Sequence, residues 1–231
     1  MVFLRMEGFV FSHTHGNGHD IRPGLTMVTS MVTTTLNLSP YRLPAWKRGM
    51  DLALGGMLLI LSGPLFVLCW AAVRLTSPGP ALHWSERVGK DNRLFGMPKF
   101  RTMRVNTPQI ATHLLQQPGR YLTPIGALLR KTSLDELPQL VSVWTGDLSL
   151  VGPRPALFNQ DDLVTLRTHH GVHRLVPGIT GWAQVNGRDE LEIPLKVRFD
   201  AEYMAAQSFR VDLKIIMLTL WRVLKAEGVQ H

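Results

Sequence analysis

The longest hydrophobic pattern in the chain is an uncharged apolar run over residues 52–73. Its length is close to what an α-helix needs to cross the hydrocarbon core of a bilayer. Ser62, Gly63 and Pro64 stand at its middle, where proline removes a backbone hydrogen bond and bends a helix. Lysine and arginine stand on both sides of the run, so charge placement does not choose between a single span and a hairpin that returns to the same face. The flanking cations are Lys47, Arg48, Arg74 and Arg87.

The remaining hydrophobic periods predict short elements, and prolines and glycines separate them. Two strands are expected, with a turn between them, and helices follow along the rest of the chain. These elements are strands over 81–89 and 94–103, a turn at 90–92, and helices over 122–129, 135–146, 161–173, 194–207 and 211–226. The fold class is therefore α+β, a small and mainly helical domain with short strands behind the apolar segment.

The last predicted helix has an apolar stripe with basic residues outside it. A basic amphipathic helix of this kind can lie in a membrane interface or pack on the protein core, and the sequence supports both equally. The stripe is Leu213, Ile216, Met217, Leu220 and Leu224, next to Trp221 and with Lys214, Arg222 and Lys225 outside.

The start of the chain, up to about residue 39, has no sustained period and is rich in Thr, Ser, Gly and His. We interpret it as a solvated tail, since the flexible context of its histidines disfavours a metal site. The expected organisation is a tail over 1–40, a membrane-associated segment over 41–76 and a folded domain over 77–231.

The amino-acid composition limits the classes of partner that the protein could bind but does not identify one. The formal charge is +8, which suits an anionic phospholipid surface, a nucleotide or a nucleic acid. A nucleic-acid binder would leave the apolar run unexplained, and the chain contains no recognisable nucleic-acid module. Cys69 is the single cysteine, which excludes an intramolecular disulfide and a cysteine metal cluster.

The strongest candidate chemistry is the adjacent carboxylate pair Asp135 and Glu136. Ser133 followed by Glu136 fits a capping box, so both acids could simply begin a helix. Arg130 and Lys131 stand just upstream, and cations beside a helix N-terminus favour phosphate binding. An aspartate in such a place could attack phosphorus and form an acyl-phosphate.

Further candidates for ligand contact lie elsewhere in the chain. Lys99 and Arg101 alternate with apolar residues in the second strand. They could form a solvated edge of the sheet or a cationic rim around a phosphate site. Arg154 stands between two prolines, which would fix its direction for a bidentate grip on phosphate. Gln184 and Asn186 lie in the glycine-rich stretch 176–188, where the backbone could approach a ligand closely.

Several motifs occur in order behind the proline-broken segment: KFRTM, RKTSLDELPQL, GDLSLVGPRP and PGITGWAQVNGR. From about Trp46 to the C-terminus the chain resembles the bacterial sugar transferase family, the monotopic phosphoglycosyl transferases that begin glycoconjugate assembly on polyprenyl phosphate. It looks like the short form of that family. The motifs cover several separate regions, so the resemblance is specific.

The resemblance implies an enzyme that moves a sugar phosphate from a UDP-sugar to undecaprenyl phosphate and releases UMP. Asp135 would be the nucleophile of a covalent aspartyl-phosphosugar intermediate, and Glu136 would help to orient it and Mg²⁺, so both acids are the implied metal ligands. The cations implied at the phosphates are Lys99, Arg101, Arg130, Arg154 and Arg188. Gln184 and Asn186 join them as candidate substrate contacts.

The resemblance also implies a membrane arrangement. Pro64 matches the break of a re-entrant helix, with both ends on the cytoplasmic face of the bacterial inner membrane and membrane lipids as partners. Residues 186–191 are expected near the donor, and an N-acetylated aminosugar is the predicted sugar. The alternative function is a membrane-anchored scaffold that uses its basic face on anionic lipid without catalysis.

Overall fold

The computed structural model describes residues 41–107, 118–187 and 191–224. Helices and short strands alternate along this part of the chain, which confirms the predicted mixed class. The predicted tail over 1–40 and the candidate Arg188 lie outside the described residues.

The apolar run forms two helices, α1 (Ala45–Leu61) and α2 (Gly63–Thr76), with Ser62 between them. Their axes are bent by 58°, so the predicted break is confirmed. Pro64 lies in the first turn of α2, where a missing N–H removes no helical hydrogen bond. Among the described residues no single helix is long and apolar enough to cross a bilayer, and by length and composition this bent pair meets that test only when taken together.

The strands form two small sheets. The predicted strands are confirmed as β1 (Leu82–Val88) and β2 (Leu94–Phe100), paired antiparallel with Leu82 opposite Phe100. β1 also pairs with β4 (Ala156–Leu157), while β3 (Ser149–Val151) lies parallel to β5 (Gly178–Thr180). The turn between β1 and β2 begins at Lys90, as predicted.

The other elements are short helices and 3₁₀ turns. The helices are α3 (Gly126–Lys131), α4 (Gln139–Thr145), α5 (Asp161–His169), α6 (Trp182–Asn186), α7 (Ile193–Ala206) and α8 (Phe209–Leu224). The turns are Lys90–Asn92, Pro118–Tyr121, Leu134–Glu136 and Val172–Arg174. α4 ends at Gly146 in the left-handed conformation, as the sequence predicts.

The first half of α1 is built into the protein core. Lys47 and Asp51 are each only 1% exposed, and Gly55 packs against Val143 of α4. Arg48 donates hydrogen bonds to the carbonyls of Val143 and Trp144 at the end of α4. The basic flank of the apolar run, which sequence alone places at the approach to a membrane, is therefore used to hold α1 on the domain.

Two hydrophobic clusters connect the bent pair α1 and α2 with the strands, since Leu54 and Leu59 of α1 pack against the first and α2 contributes to the second. The first joins β2, α4, β3, α7 and α8, and its buried members include Met97, Val143, Val151, Tyr203 and Ile215. The second joins α2, β2 and α3 through Cys69, Val73, Phe100 and Leu129. β2 belongs to both clusters, so its position is fixed from two sides.

Candidate active site

The carboxylate pair lies in a 3₁₀ turn rather than at the start of an α-helix. Ser133 has φ 57°, in the left-handed region, and the turn Leu134–Glu136 follows it. No side chain caps this turn, and α4 begins only at Gln139. The capping-box alternative is therefore wrong, since the Glu136 carboxylate is held by cations instead of reaching back to the backbone of Ser133.

Glu136 is clamped between two cations from different parts of the chain. Its Oε1 accepts from Lys99 Nζ at 2.8 Å and from Arg154 Nη2 at 3.0 Å. Burial acts to raise the pKa of Glu136, but the charges of Lys99 and Arg154 outweigh it and hold the pKa well below its usual range. The carboxylate therefore stays ionised at neutral pH, and its two partners are fixed beside the turn.

Asp135 lies beside Glu136 and is 9% exposed. Arg130, at the end of α3, donates from Nε to Thr102 Oγ1 at 2.9 Å and interacts electrostatically with Asp135. Burial lowers the pKa of Arg130, and the Asp135 charge opposes that change. Four of the predicted residues thus lie around the turn of Asp135: Glu136, Lys99, Arg130 and Arg154.

Arg101 does not join this group, because its guanidinium donates elsewhere in the fold, and its role as a phosphate ligand stays a prediction. It is 6% exposed, and its guanidinium donates to the carbonyls of Ser77, Pro78 and Pro80 and to Ser77 Oγ. Burial lowers its pKa, and the nearby Arg74 charge lowers it further. Arg101 therefore stabilises the turn that connects α2 to β1.

We expect Arg101→Lys to lower the free energy of unfolding by about 1–3 kcal/mol, because one ammonium cannot satisfy acceptors spread over Ser77, Pro78 and Pro80. Thermal unfolding of the purified variant measures this, with Arg104→Lys, an exposed position three residues on, as the control. Unchanged stability together with a large loss of activity would restore Arg101 to the substrate site.

The two candidate amides make local contacts. Gln184 donates from Nε2 to the Ile179 carbonyl at 3.2 Å, while its Oε1 is buried without a hydrogen-bond partner. Asn186 is exposed and donates to the carbonyl of Trp182 one turn back in α6. The structure supplies no contact between either amide and the carboxylate pair.

The glycines of the same stretch allow two paired backbone segments to approach each other closely. A Cβ added to Gly181 would lie 2.1 Å from the carbonyl oxygen of Gly152, and one added to Gly178 would lie 2.1 Å from the Gly152 nitrogen. At Gly178 and Gly181 the backbone therefore comes close to the loop that precedes Arg154. The sequence predicts a close approach to a ligand in this stretch.

Sequence reasoning missed two buried residues that hold the Arg154 loop. Arg167 in α5 is 7% exposed and forms an ion pair with Asp200 of α7, which is 1% exposed. The sequence predicts a helix over 161–173 here but singles out neither residue. A signal in the sequence could have found Arg167: its spacing from Leu163 places both residues on the same face of α5, and this face is buried.

A carboxylate pair surrounded by lysine and arginine, beside a bent apolar helix pair, is typical of an enzyme that works on phosphorylated substrates. The sequence pattern described as bacterial sugar transferase matches residues 42–226. The chain belongs to this family.

Three relatives illustrate the similarity. The uncharacterized sugar transferase EpsL of Bacillus subtilis is 42% identical over 185 residues, 80% of this chain and 90% of that protein. The UDP-glucose:undecaprenyl-phosphate glucose-1-phosphate transferase of Escherichia coli is 39% identical over 184 residues, 76% of this chain but 39% of that protein. An Aeromonas hydrophila protein named UDP-N-acetylgalactosamine-undecaprenyl-phosphate N-acetylgalactosaminephosphotransferase is 34% identical over 189 residues, 80% of this chain and 45% of that protein.

Proposed function

We propose that the protein transfers a sugar 1-phosphate from a UDP-sugar to undecaprenyl phosphate and releases UMP. The observation that carries the proposal is the clamp of Glu136 between Lys99 and Arg154, directly beside the buried Asp135. The names of the relatives supply the substrates, since they pair a UDP-sugar or a sugar phosphate with undecaprenyl phosphate.

The proposed reaction has two displacements at one phosphorus. In the first, an Asp135 carboxylate oxygen attacks the phosphorus that bears the sugar, the bond to the bridging oxygen of the diphosphate breaks, and UMP leaves with that oxygen. In the second, a phosphate oxygen of undecaprenyl phosphate attacks the same phosphorus and releases the Asp135 carboxylate. The product is a lipid diphosphate that carries the sugar.

The cations around the turn lower the cost of bringing a carboxylate to an anionic diphosphate. Lys99 and Arg154 already lie within hydrogen-bond distance of Glu136, and Arg130 interacts with Asp135, so three positive groups face the place where negative charge accumulates. Lys99 belongs to β2 and Arg130 to α3, so the backbone positions of these two cations are set by regular elements.

The residues also fit Mg²⁺. Magnesium binds through one or two carboxylates together with substrate phosphates, and Asp135 and Glu136 are adjacent carboxylates of the hard-oxygen type it prefers. Within the described ranges no group of three or more acidic, histidine or cysteine side chains could hold a metal, so the substrate phosphates would complete its shell. When bound, the metal would neutralise charge on the diphosphate.

We further propose that α1 and α2 enter the bilayer as a re-entrant hairpin, with both ends on the cytoplasmic face of a bacterial inner membrane. Large apolar side chains stand exposed around the bend, including Ile60 at 79%, Leu61 at 70% and Leu68 at 66%. Such a surface favours lipid over water.

α8 supports the same placement. Its inner face packs on the core through Asp212 and Ile215, while its outer side exposes large apolar side chains together with Arg210 and Lys214. The exposed outer residues recur at helical spacing, as expected for a helix in a membrane interface: Phe209, Leu213, Met217, Leu220 and Trp221. In this proposal one face of α8 packs on the core and the opposite face lies in the membrane interface.

The second candidate function is a basic scaffold on anionic lipid without catalysis. Its support is the same exposed apolar surface and the formal charge of +8. It does not account for a buried aspartate beside a glutamate that is held ionised by two cations, so we favour the enzyme.

The test is UMP release by the purified, membrane-reconstituted protein with undecaprenyl phosphate, Mg²⁺ and a panel of UDP-sugars. We expect release that requires the lipid for continued turnover, with an N-acetylated aminosugar as the preferred donor. Release with another sugar would retain the reaction and correct the donor. No release with any donor from folded, membrane-bound protein would favour the scaffold.

A further inference from the structure

The loop that carries Arg154 is held by its carbonyl groups. Pro153 and Pro155 have no N–H to donate, so carbonyl oxygens supply most of the backbone polar groups of this segment. Each of three successive carbonyls accepts a hydrogen bond from elsewhere in the chain. Gly178 N donates to Pro153 at 2.9 Å, Arg167 Nη1 to Arg154 at 2.8 Å and Arg87 Nη1 to Pro155 at 3.3 Å.

The middle contact belongs to a buried fork. Arg167 uses Nε and Nη2 to bind Asp200 Oδ2, at 3.0 and 2.7 Å, and has Nη1 left for the Arg154 carbonyl. Asp200 is 1% exposed and Arg167 7%, so water competes little for either group. Because the guanidinium is planar and rigid, fixing one side of it on Asp200 also fixes the direction of Nη1.

Arg154 connects this buried fork of Arg167 and Asp200 to the carboxylate pair. The residue whose carbonyl the fork holds is the same residue whose guanidinium binds Glu136 Oε1 at 3.0 Å. A shift of the Arg154 backbone would therefore move a cation relative to Glu136 and to any phosphate bound there. β4, which follows Pro155 directly and pairs with β1, restrains the loop from the other side.

We propose that Arg167, oriented by Asp200, is a positioning residue that sets the place of the Arg154 guanidinium in the active site. This inference rests on the proposed function, and it assigns a task in that reaction to a buried ion pair between α5 and α7. Arg167 acts through the backbone of Arg154 and touches neither Glu136 nor substrate.

A double-mutant cycle tests this role. Lysine at position 167 can bind Asp200 or the Arg154 carbonyl but cannot reproduce the rigid fork, so Arg167→Lys is expected to lower kcat/KM for UMP release by on the order of tenfold to a hundredfold. In an Arg154→Ala background the same change is expected to lower kcat/KM by no more than about twofold, because its target is gone. Equal losses in both backgrounds would show a merely structural role and overturn the proposal.

The matched control is Arg198→Lys, an exposed arginine that also pairs with a carboxylate, Glu202, and is expected to leave kcat/KM unchanged. Should Arg167→Lys not fold, Asp200→Asn takes its place in the cycle. It retains an oxygen acceptor for Arg167 and removes the charge that orients it, and the same loss of effect in the Arg154→Ala background is expected.

A second measurement does not require activity. In protein with ¹⁵N-labelled arginine, the side-chain Nε–H resonance of Arg154 is identified by its absence in Arg154→Lys. We expect this resonance to shift in Arg167→Lys or Asp200→Asn and to stay in place in Arg198→Lys. An unmoved Arg154 resonance overturns the positioning role whether or not the protein releases UMP, whereas inactive wild-type protein with a shifted resonance counts only against the proposed function.

Discussion

Asp135→Asn is expected to lower UMP release by at least about a thousandfold, equivalent to roughly 4 kcal/mol of transition-state stabilisation. The amide has almost the shape of the carboxylate but cannot form a stable acyl-phosphate, so the first displacement fails. Asp135 is 9% exposed beside Glu136, and an isosteric change keeps its packing. The assay is UMP release under conditions in which wild-type protein turns over.

A covalent adduct gives this prediction a direct readout. Incubation with UDP-sugar but without lipid is expected to increase the mass of the wild-type protein by one phosphosugar and to leave Asp135→Asn unchanged. Asp161→Asn, an exposed aspartate in the first turn of α5, is the control and is expected to behave like wild type. An adduct on Asp135→Asn would exclude Asp135 as the nucleophile.

Lys47→Met is expected to lower the free energy of unfolding by about 3–5 kcal/mol, because it leaves the Asp212 carboxylate buried without its cation. Lys47 is 1% exposed and Asp212 is fully buried, and the Lys47 ammonium donates to Asp212 Oδ2. Tyr203 OH holds the other oxygen of Asp212 at 2.8 Å. The contact joins α1 to α8, so its loss weakens the attachment of α1 to the rest of the domain.

Denaturant or thermal unfolding of the reconstituted protein measures this loss. The double variant Lys47→Met with Asp212→Leu is expected to recover much of the stability, since an apolar pair leaves no charge unmatched. Arg198→Ala removes an exposed ion pair with Glu202 and is expected to cost no more than about 0.5 kcal/mol. If Lys47→Met were no more harmful than Arg198→Ala, the pair would not be what holds α1 to α8.

The sequence predicted elements well where one local rule decides them. Pro64 in an apolar run predicts a break, and the two helices bend there. Strand alternation and the turn at Lys90 predict β1 and β2 to within a few residues. The predicted start of a helix at Asp135 was wrong, because the capping rule takes no account of cations brought from distant parts of the chain.

Local sequence rules also could not tell apart the two candidate cations of the second strand, Lys99 and Arg101. Two residues apart in a strand, Lys99 and Arg101 would lie on one face, and the sequence groups them on that basis. β2 ends at Phe100, so the alternation stops before Arg101, which turns to the carbonyls of Ser77, Pro78 and Pro80. Lys99 stays on the strand and binds Glu136.

By itself the sequence determined the broken apolar helix, the short strands and the carboxylate pair, since each depends on residues that are neighbours in the chain. Only the tertiary structure decided which cations meet Glu136 and which are used elsewhere. Arg154 reaches Glu136 across 18 residues and Arg167 reaches Asp200 across 33. Such contacts depend on how elements pack, and a buried charge is tolerated only where packing brings its partner.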